Sequence, residues 1–166
     1  MTYRYTIGLI GARGHTGREF LKLIDSHPDL ELVFAASREL AGRSVSDVAP
    51  APAGLVFENS SPAQLATQKP DICILALPNE SSQPFVDAFA SHSPETTLID
   101  LSADHRFDKN WAYGLPELYA ESQSLKGALR IANPGCYATA AQLAIYPCLQ
   151  NLASPPSVFG VSGYSG

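Results

Sequence analysis

Three glycines in one short turn constrain the fold of this chain more than any other feature of its sequence. The turn reads Gly11-Ala-Arg-Gly14-His-Thr-Gly17 and lies between an apolar run at 5–10 and a stretch at 18–26 with apolar side chains at helical spacing. Glycine permits a tight turn, lets the main chain approach a pyrophosphate and allows close strand–helix packing, while the helix N-terminus supplies free N–H groups. The spacing is G-x-x-G-x-x-G rather than the common G-x-G-x-x-G. A glycine-rich turn without a ligand is the alternative, but the placement favours a dinucleotide site. Its predicted cofactor-binding residues are Gly11, Ala12, Arg13, Gly14, His15, Thr16 and Gly17.

Apolar runs of strand length alternate with helical stretches along the rest of the chain. Several runs are apolar at consecutive positions, as in strands buried on both faces of a parallel sheet. The predicted strands are 5–10, 31–36, 71–77, 96–101, 129–132 and 158–161. The predicted helices are 18–26, 82–90 and 138–149, and Pro147 is expected to end or kink the last of them. Residues 38–61 are predicted to form a long surface crossover with an edge strand, and 104–124 to be mostly irregular. The alternation predicts an α/β fold with a doubly wound, mainly parallel sheet of the Rossmann type.

Composition and charge narrow the class of partners. The chain has 166 residues, of which 45% are hydrophobic, enough for a stable core in one domain. Its net charge is −5 and it has no basic block, so nucleic acid and anionic membranes are poor partners. No apolar stretch precedes the first strand and no run is long enough to span a bilayer, so we expect no signal peptide, no membrane span and a cytoplasmic location. Three cysteines without a C-x-x-C pair argue against a disulfide scaffold and a zinc site, and no metal is expected.

The residues after the second predicted strand bear on which dinucleotide is bound. In NAD sites an acidic residue about 20 positions beyond the glycines binds the ribose 2′-hydroxyl. Here Ser37 and Arg38 occupy that place, and the nearest acid, Glu39, comes after the arginine. A hydroxyl and a guanidinium suit a 2′-phosphate, through a charge-assisted hydrogen bond. NADP is therefore the predicted cofactor, and an ordinary solvated loop arginine is the alternative for Arg38.

Cys136 is the predicted nucleophile. It lies where the strand at 129–132 turns into the helix at 138–149, and Pro134 and Gly135 make that turn sharp. A thiol at a helix N-terminus faces free N–H groups and the positive end of the helix dipole, which favours the thiolate, and the same donors suit an oxyanion. A buried structural cysteine is the alternative, and it is the expectation for Cys73, inside an apolar strand, and for Cys148, late in a helix. A thiolate beside a nicotinamide points to attack on an activated acyl group, a thioester, and hydride transfer that gives an aldehyde.

With both sites placed, the chain resembles the N-acetyl-γ-glutamyl-phosphate reductases, enzymes of arginine biosynthesis related to aspartate-semialdehyde dehydrogenase. The motifs that carry the resemblance are the glycine turn at 11–17, Leu75-Ala-Leu-Pro78, Asp100-Leu-Ser-Ala-Asp104, Arg106, Tyr113-Gly-Leu-Pro-Glu117, Asn133-Pro-Gly-Cys136-Tyr-Ala-Thr139 and Gly160-Val-Ser-Gly163. The resemblance implies NADPH-dependent reduction of N-acetyl-γ-glutamyl phosphate to the semialdehyde, with release of phosphate.

The resemblance also implies roles for individual residues. Cys136 would be the nucleophile, the turn at 11–17 would hold NADP, and Leu77 and Pro78 would border the cofactor. Four further residues fall in segments expected to line the substrate side of the site: Ser102, Arg106, Glu117 and Asn133. Plainer alternatives are a turn cap for Ser102 and a solvated ion pair between Arg106 and Glu117.

Two residues and the chain length depart from the family pattern. Asn79 stands where the family often has histidine, and His105 stands where an aromatic residue is usual before the arginine. Family members are much longer, with a second domain that provides dimer contacts and a histidine acting as general acid and base. We therefore expect a cofactor and nucleophile domain at 1–157, the start of a crossover to a second domain at 158–166, a homo-oligomer for the longer protein, and weak turnover by this chain alone. Among its own histidines, His105 is the one candidate substitute for the missing acid and base.

Two other functions stay open on the sequence. One is a related semialdehyde dehydrogenase acting on another acyl phosphate, against which the motif at 113–117 argues. The other is an NADP-binding module without turnover, which has no need of a reactive Cys136.

Overall fold

A seven-stranded parallel sheet forms the centre of the computed structural model, which describes residues 4–119, 125–161 and 163. The strand order is β3-β2-β1-β4-β5-β7-β6, and every pair of neighbours is parallel. The strands are β1 (Tyr5–Ile10), β2 (Leu30–Ala36), β3 (Phe57–Glu58), β4 (Ile72–Leu75), β5 (Thr97–Asp100), β6 (Ala112–Tyr113) and β7 (Arg130–Ala132). The order turns back between β1 and β4, which is where open α/β sheets bind ligands at the carboxyl ends of their strands.

Five α-helices connect these strands within the described residues. They are α1 (His15–Ser26), α2 (Pro62–Ala66), α3 (Gln83–His92), α4 (Pro116–Tyr119) and α5 (Cys136–Ile145). The Rossmann-type fold predicted from the alternation of strands and helices is confirmed. None of the helices in the described part of the chain has the length and apolar character needed to cross a membrane.

Two apolar clusters cover the two faces of the sheet. Leu21 and Ile24 of α1 pack on one face, together with alternate residues of β1 and β2 such as Leu9. Leu65 of α2 and Phe89 of α3 pack on the other face. Helices on both faces explain why the central strands are apolar at consecutive positions.

The segment at 38–61 contributes to the core more than a surface crossover would. It contains a 3-10 turn at Val45–Asp47 and the edge strand β3, and the side chains of Leu40, Val45 and Phe57 are buried against β2 and α1. The predicted edge strand is therefore present. The irregular stretch after Asp104 holds two short elements that the sequence did not predict, β6 and α4.

One prediction near the end of the chain was wrong and another is confirmed in its main point. Residues 158–161 form no strand, because no strand in the described part of the chain pairs with them, and Val158, Phe159 and Val161 are exposed. The helix predicted at 138–149 begins two residues earlier, at Cys136, and ends at Ile145 before a 3-10 turn, as the prediction that Pro147 ends or kinks it requires. That turn contains Pro147, which has no N–H to continue the α-helix.

Candidate functional site

The glycine turn is a tight link between β1 and α1. Gly11 has φ +84°, a left-handed conformation that glycine adopts without strain, and its backbone passes directly against the carbonyl of Ala76. The N–H groups of Gly11 and Ala12 both donate to the carbonyl oxygen of Ala36, at 3.0 and 3.2 Å. The turn is thereby fixed to the carboxyl ends of β2 and β4 at once.

The other two glycines of the turn differ in what surrounds them. At Gly17 an added Cβ would lie 2.6 Å from the carbonyl oxygen of Gly11 and 2.8 Å from Cα of Ala12, so the helix and the turn pack too closely for any side chain. At Gly14, the N-cap of α1, the nearest atom to such a Cβ is 3.8 Å away, and the backbone is exposed. The first turn of α1 therefore presents bare backbone and N–H groups to solvent, a surface that fits a pyrophosphate.

The carboxyl end of β2 carries the residues predicted to choose the cofactor. The Ser37 hydroxyl accepts a hydrogen bond from the N–H of Leu40 at 3.3 Å, and its own N–H donates to Glu58 at 2.9 Å. Arg38 is exposed, and within the described residues its side chain has no hydrogen bond or ion pair. Two acids line this edge of the cleft. Glu39 forms an ion pair with Arg13 of the glycine turn at 2.6 Å, and the Glu58 carboxylate accepts hydrogen bonds from the Ser60 hydroxyl at 2.6 Å and from Nε2 of Gln68 at 3.0 Å.

Cys136 is the first residue of α5 and is exposed. The strand that leads to it continues the sheet pattern, because the N–H of Asn133 donates to the carbonyl of Asp100 at 2.8 Å. Thr139 of the same helix donates its hydroxyl to the carbonyl of Gly135 at 3.0 Å, which secures the turn from the helix side. The sulfur thus lies at a helix N-terminus, as the sequence predicted.

The two other cysteines are placed differently from each other. Cys73 is buried in β4, as expected, and burial raises the pKa of its thiol. Cys148 is exposed in the 3-10 turn after α5, so the expectation that it is buried was wrong. No residue of α5 or of that turn is buried, so Cys148 lies in an element that does not pack into the core.

Arg106 braces the turn that leads to Cys136. Its Nε donates to the carbonyl of Asn133 at 3.0 Å, and its Nη2 donates to the carbonyl of Leu101 at 3.1 Å. The Nη1 atom lies 2.9 Å from the position of a Cβ on Gly135, so a side chain there would push the guanidinium aside. Arg106 and Asn133 both line the cleft, and the Asn133 amide donates to the carbonyl of Pro134 at 3.0 Å.

The other predicted substrate residues lie outside the lining of the cleft. Ser102 is buried, donates its hydroxyl to the Asp100 carboxylate at 2.7 Å and accepts from the N–H of Asp104 at 3.1 Å. This matches the turn-cap alternative for Ser102. Glu117 is exposed on α4, and it forms no ion pair with Arg106 in the described part of the chain. Their substrate roles stay predictions.

His105 is built into the scaffold beside the cleft. Its ring is buried, stacks on Trp111 with the ring centroids 4.1 Å apart, and lies 3.1 Å from the Ser82 hydroxyl through Nε2. The Asp100 carboxylate is 4.0 Å from the same nitrogen. His105 is absent from the lining of the cleft, so the geometry gives no support to it as a substitute acid or base.

One cleft of about 1760 Å³ joins these groups. It runs along the carboxyl ends of the strands, and the predicted site residues that line it are Gly11, Arg13, Gly14, His15, Thr16, Gly17, Ser37, Arg38, Leu77, Pro78, Arg106, Asn133 and Cys136. Ala12 lies buried beneath the turn and is not among them.

Sequence reasoning missed the Asp104 carboxylate as part of the site. It accepts a hydrogen bond from the N–H of Glu80, two residues after Pro78, and no short-range sequence pattern marks that contact. Among the described residues, no group of three metal-ligating side chains is placed to hold an ion.

Comparison with known proteins places the chain in a family. Residues 6–126 match the family described as "Semialdehyde dehydrogenase, NAD binding domain". The chain is 55% identical over 97% of its length to the N-acetyl-gamma-glutamyl-phosphate reductase of Xanthomonas campestris pv. campestris (strain 8004), and covers 51% of that protein. It is 51% identical over 99% of its length to the reductase of the same name from Xylella fastidiosa (strain M23), and covers 50% of it. The chain thus spans about half the length of the curated relatives it matches.

Solved structures of similar fold are longer as well. Aspartate semialdehyde dehydrogenase from Francisella tularensis superposes with a TM-score of 0.69 at 20% identity, over 89% of this chain and 41% of that one. The Candida albicans enzyme of the same name, solved with NADP, gives a TM-score of 0.66 at 16% identity, over 88% and 47% of the two chains. At these identities the likeness concerns the fold alone.

Proposed function

Because the chain belongs to the semialdehyde dehydrogenase family, as its NAD-binding domain, we propose that it binds NADPH and carries the nucleophile of an acyl-phosphate reductase. The substrate we propose is N-acetyl-γ-glutamyl phosphate, which is reduced to the semialdehyde with release of phosphate in arginine biosynthesis. The observation that carries this proposal is the single cleft lined both by the glycine turn and by Cys136. A binding module without turnover would have no use for a thiol in the same cleft.

The residues of the glycine turn fit a dinucleotide. The pyrophosphate would lie against the bare backbone at Gly14 and the first N–H groups of α1, where no side chain intervenes. The adenosine ribose would then lie at the carboxyl end of β2, beside Ser37 and Arg38. The nicotinamide would lie toward the wall formed by Leu77 and Pro78.

The charged side chains at the carboxyl end of β2 are the reason to propose NADP rather than NAD. The two acids at this edge of the cleft are both engaged: Glu39 pairs with Arg13, which offsets its repulsion of a 2′-phosphate, and the Glu58 carboxylate accepts hydrogen bonds from Ser60 and Gln68. Arg38 has no ion-pair partner among the described residues, so its guanidinium at the same edge of the cleft would be available for a charge-assisted hydrogen bond. A site for NAD would instead offer an unpaired carboxylate to the 2′-hydroxyl.

Cys136 would act as the nucleophile in two covalent steps. In the first, its thiolate attacks the acyl carbon, a C–S bond forms, and the C–O bond to phosphate breaks, with phosphate taking the electron pair. The N–H groups at the start of α5 lie where they can stabilise the oxyanion of the tetrahedral state. In the second, the glycine turn and the wall at Leu77 and Pro78 would hold the nicotinamide cofactor, which would supply a hydride to the thioester carbon; the C–S bond would break and release the Cys136 thiolate and the aldehyde. The released phosphate takes up the proton that balances the reaction.

Arg106 would serve this chemistry mainly by fixing the turn at 133–136. Two of its nitrogen atoms are engaged with the carbonyls of Leu101 and Asn133, so it holds the strand end that precedes Cys136. Arg106 also lines the same cleft as Cys136, where its positive charge would favour the negatively charged acyl phosphate.

The resemblance and the length of the relatives support a division of labour. We place the cofactor site and the nucleophile in a domain at 1–157, and the general acid and base in the half of the relatives that this chain does not span. A positioned acid or base contributes about 10²–10⁴-fold to a rate, so this chain alone is expected to turn over weakly. The longer protein would act on its small-molecule substrate as a cytoplasmic homo-oligomer.

Trapping of the thioester tests the proposal without requiring turnover. The chain is mixed with N-acetyl-γ-glutamyl phosphate in the absence of NADPH, and intact-mass and peptide mass spectrometry locate the acyl group. We expect one acyl group on Cys136, with release of one phosphate per acylated chain. Addition of NADPH to the isolated acyl form should discharge it and form aldehyde.

Two variants control for non-specific acylation. Cys136→Ala should abolish both acylation and phosphate release, while Cys148→Ala, which removes the other exposed thiol, should leave both unchanged. Acylation that persists in Cys136→Ala, or a chain that binds no NADPH, would contradict the proposed function.

A further inference from the structure

Two loop segments beside the cleft are fastened to each other by reciprocal hydrogen bonds. The first, 76–82, follows β4 and supplies the wall of the cleft at Leu77 and Pro78; the second, 101–106, follows β5. Asn79 of the first segment accepts a hydrogen bond from the N–H of Ala103 through Oδ1, at 2.9 Å. Asp104 of the second segment accepts from the N–H of Glu80 through its Oδ1, at 2.7 Å. Each segment therefore donates one backbone hydrogen bond to a side chain of the other.

The Asp104 carboxylate makes most of this connection. Besides Glu80, it accepts a hydrogen bond from the hydroxyl of Ser82 at 2.8 Å and a longer one from the N–H of Ser82 at 3.4 Å. Burial by itself would raise the pKa of Asp104, but the hydrogen bonds from Glu80 and Ser82 and the nearby His105 together hold it below its usual value. The group is therefore held as an ionised acceptor at neutral pH.

The backbone that Asp104 holds is in an unusual conformation. Glu80 has φ +65°, in the left-handed region that residues other than glycine rarely adopt. Its N–H points at the Asp104 carboxylate, and its own side chain is exposed. A strained residue persists only where the surrounding structure holds it, and the short hydrogen bond to Asp104 is the contact that does so here.

Two buried side chains, Ser82 and His105, support the same connection. Ser82 is fully buried and bonds both to Asp104 and to Nε2 of His105, whose ring stacks on Trp111. The end of the connection at Ser82 and His105 is therefore buried and hydrogen-bonded. The segment that it holds is the one that lines the cleft.

From this arrangement we infer that Asp104 is a positioning residue for cofactor binding. Through Glu80 and Ser82 it holds the wall at 77–81 in the shape that receives the nicotinamide half of the dinucleotide, while the adenosine half depends on the glycine turn and β2. The inference rests on the proposed function, because it assumes that this cleft binds NADPH with its nicotinamide toward that wall.

The test compares two ligands that differ in the nicotinamide half. NADPH spans the whole cleft, whereas adenosine 2′,5′-bisphosphate carries the adenosine and the 2′-phosphate alone. Asp104→Asn keeps the size of the side chain but loses the charge and one acceptor. We expect this variant to lower the affinity for NADPH about tenfold, as for the loss of one charged hydrogen bond. Its affinity for the bisphosphate should change by less than about twofold. Ser82→Ala removes one of the contacts and should give a smaller loss in the same direction, so it carries the test if Asp104→Asn fails to fold.

A pair of second-site variants separates positioning from general weakening. Glycine adopts φ +65° without strain, so Glu80→Gly in the Asp104→Asn background should restore much of the NADPH affinity. Glu80→Ala in the same background removes the same carboxylate but keeps the Cβ, and it should restore nothing.

The outcomes distinguish the two ideas. If the parent chain binds neither ligand, the proposed function has failed. If the parent binds both, two results for a folded Asp104→Asn variant overturn the inference. One is an affinity for NADPH equal to that of the parent, and the other is an equal loss of affinity for NADPH and for the bisphosphate. It is also overturned when Glu80→Ala rescues as well as Glu80→Gly, or when neither does. Isothermal titration gives the affinities, and thermal unfolding shows which variants are folded.

Discussion

Substitutions at two glycines of the same turn should separate folding from cofactor binding. Gly17→Ala and Gly14→Ala each add one methyl group three residues apart, yet the surroundings of the two positions are opposite. At Gly17 the new carbon would meet the backbone of Gly11 and Ala12 at 2.6 and 2.8 Å, and backbone cannot turn aside as a flexible side chain can. At Gly14 the nearest atom is 3.8 Å away, and φ −60° with ψ 165° suits alanine.

The magnitudes follow from these distances. Forcing a methyl into a closely packed site costs about 1–3 kcal/mol, and we place Gly17→Ala in that range. For a chain of this size each kcal/mol lowers the melting temperature by about 2–4 °C. Gly14→Ala loses only the modest advantage of glycine over alanine at an N-cap, about 1 kcal/mol or less. Its methyl would instead lie over the bare backbone where the pyrophosphate is proposed to rest, so NADPH affinity should fall about tenfold or more.

Thermal unfolding and NADPH titration of the two variants give the readout. The expected result is a double dissociation, in which Gly17→Ala is the less stable protein and Gly14→Ala is the folded protein with the weaker cofactor affinity. A Gly14→Ala variant that binds NADPH as the parent does would refute the placement of the pyrophosphate. A Gly17→Ala variant as stable as the parent would refute the packing of α1 against the turn.

Three further predictions concern single side chains. Arg38→Ala should remove most of the preference for NADPH over NADH, about 1.5–3 kcal/mol for a charge-assisted bond, while Arg43→Ala on the same crossover should not; equal affinities in the parent would end the idea. Site-resolved alkylation near neutral pH should label Cys136 ahead of Cys148, which is also exposed but lies outside the cleft, and the reverse order would show the nucleophile is misassigned. Hydrogen bonds from Thr6 of β1 lower the pKa of Asp71 below its usual value, so the ionised carboxylate stabilises the fold near neutral pH and this stabilisation is lost as the pH falls through the lowered pKa. In chemical denaturation, the free energy of unfolding of Asp71→Asn should therefore fall less steeply with acid than that of the parent. Equal pH dependence in the two proteins would contradict the assignment.

Local patterns in the sequence were sufficient for the elements that stand at the centre of the fold. The glycine turn predicted the link from β1 to α1, because glycine meets both the left-handed conformation at Gly11 and the close packing at Gly17. Consecutive apolar residues predicted the buried parallel strands for the same reason, since both faces of the sheet are covered. Pro134 and Gly135 before an alanine-rich stretch likewise predicted a cysteine at a helix start, and the structure begins α5 at Cys136.

Local patterns failed where the outcome depended on a partner elsewhere. The apolar run at 158–161 has the composition of a strand, but a strand needs a neighbour, and within the described residues none pairs with it. Cys148 has the apolar surroundings in sequence of a buried cysteine, yet no residue of its 3-10 turn is buried. Burial is a property of the packed chain, so the same short sequence is core in one place and surface in another.

The tertiary structure alone decided what the polar side chains near the cleft do. Arg106 reaches the carbonyl of Asn133 across 27 residues of sequence, and Asp104 reaches the N–H of Glu80 across 24. Their partners are main-chain groups, which every residue possesses, so no residue type at either end announces the contact. The sequence by itself therefore determined where the backbone turns lie and that Cys136 stands at a helix start. Which carboxylate and which guanidinium hold those turns in place was decided only when the ends of β4, β5 and β7 came together at one edge of the sheet.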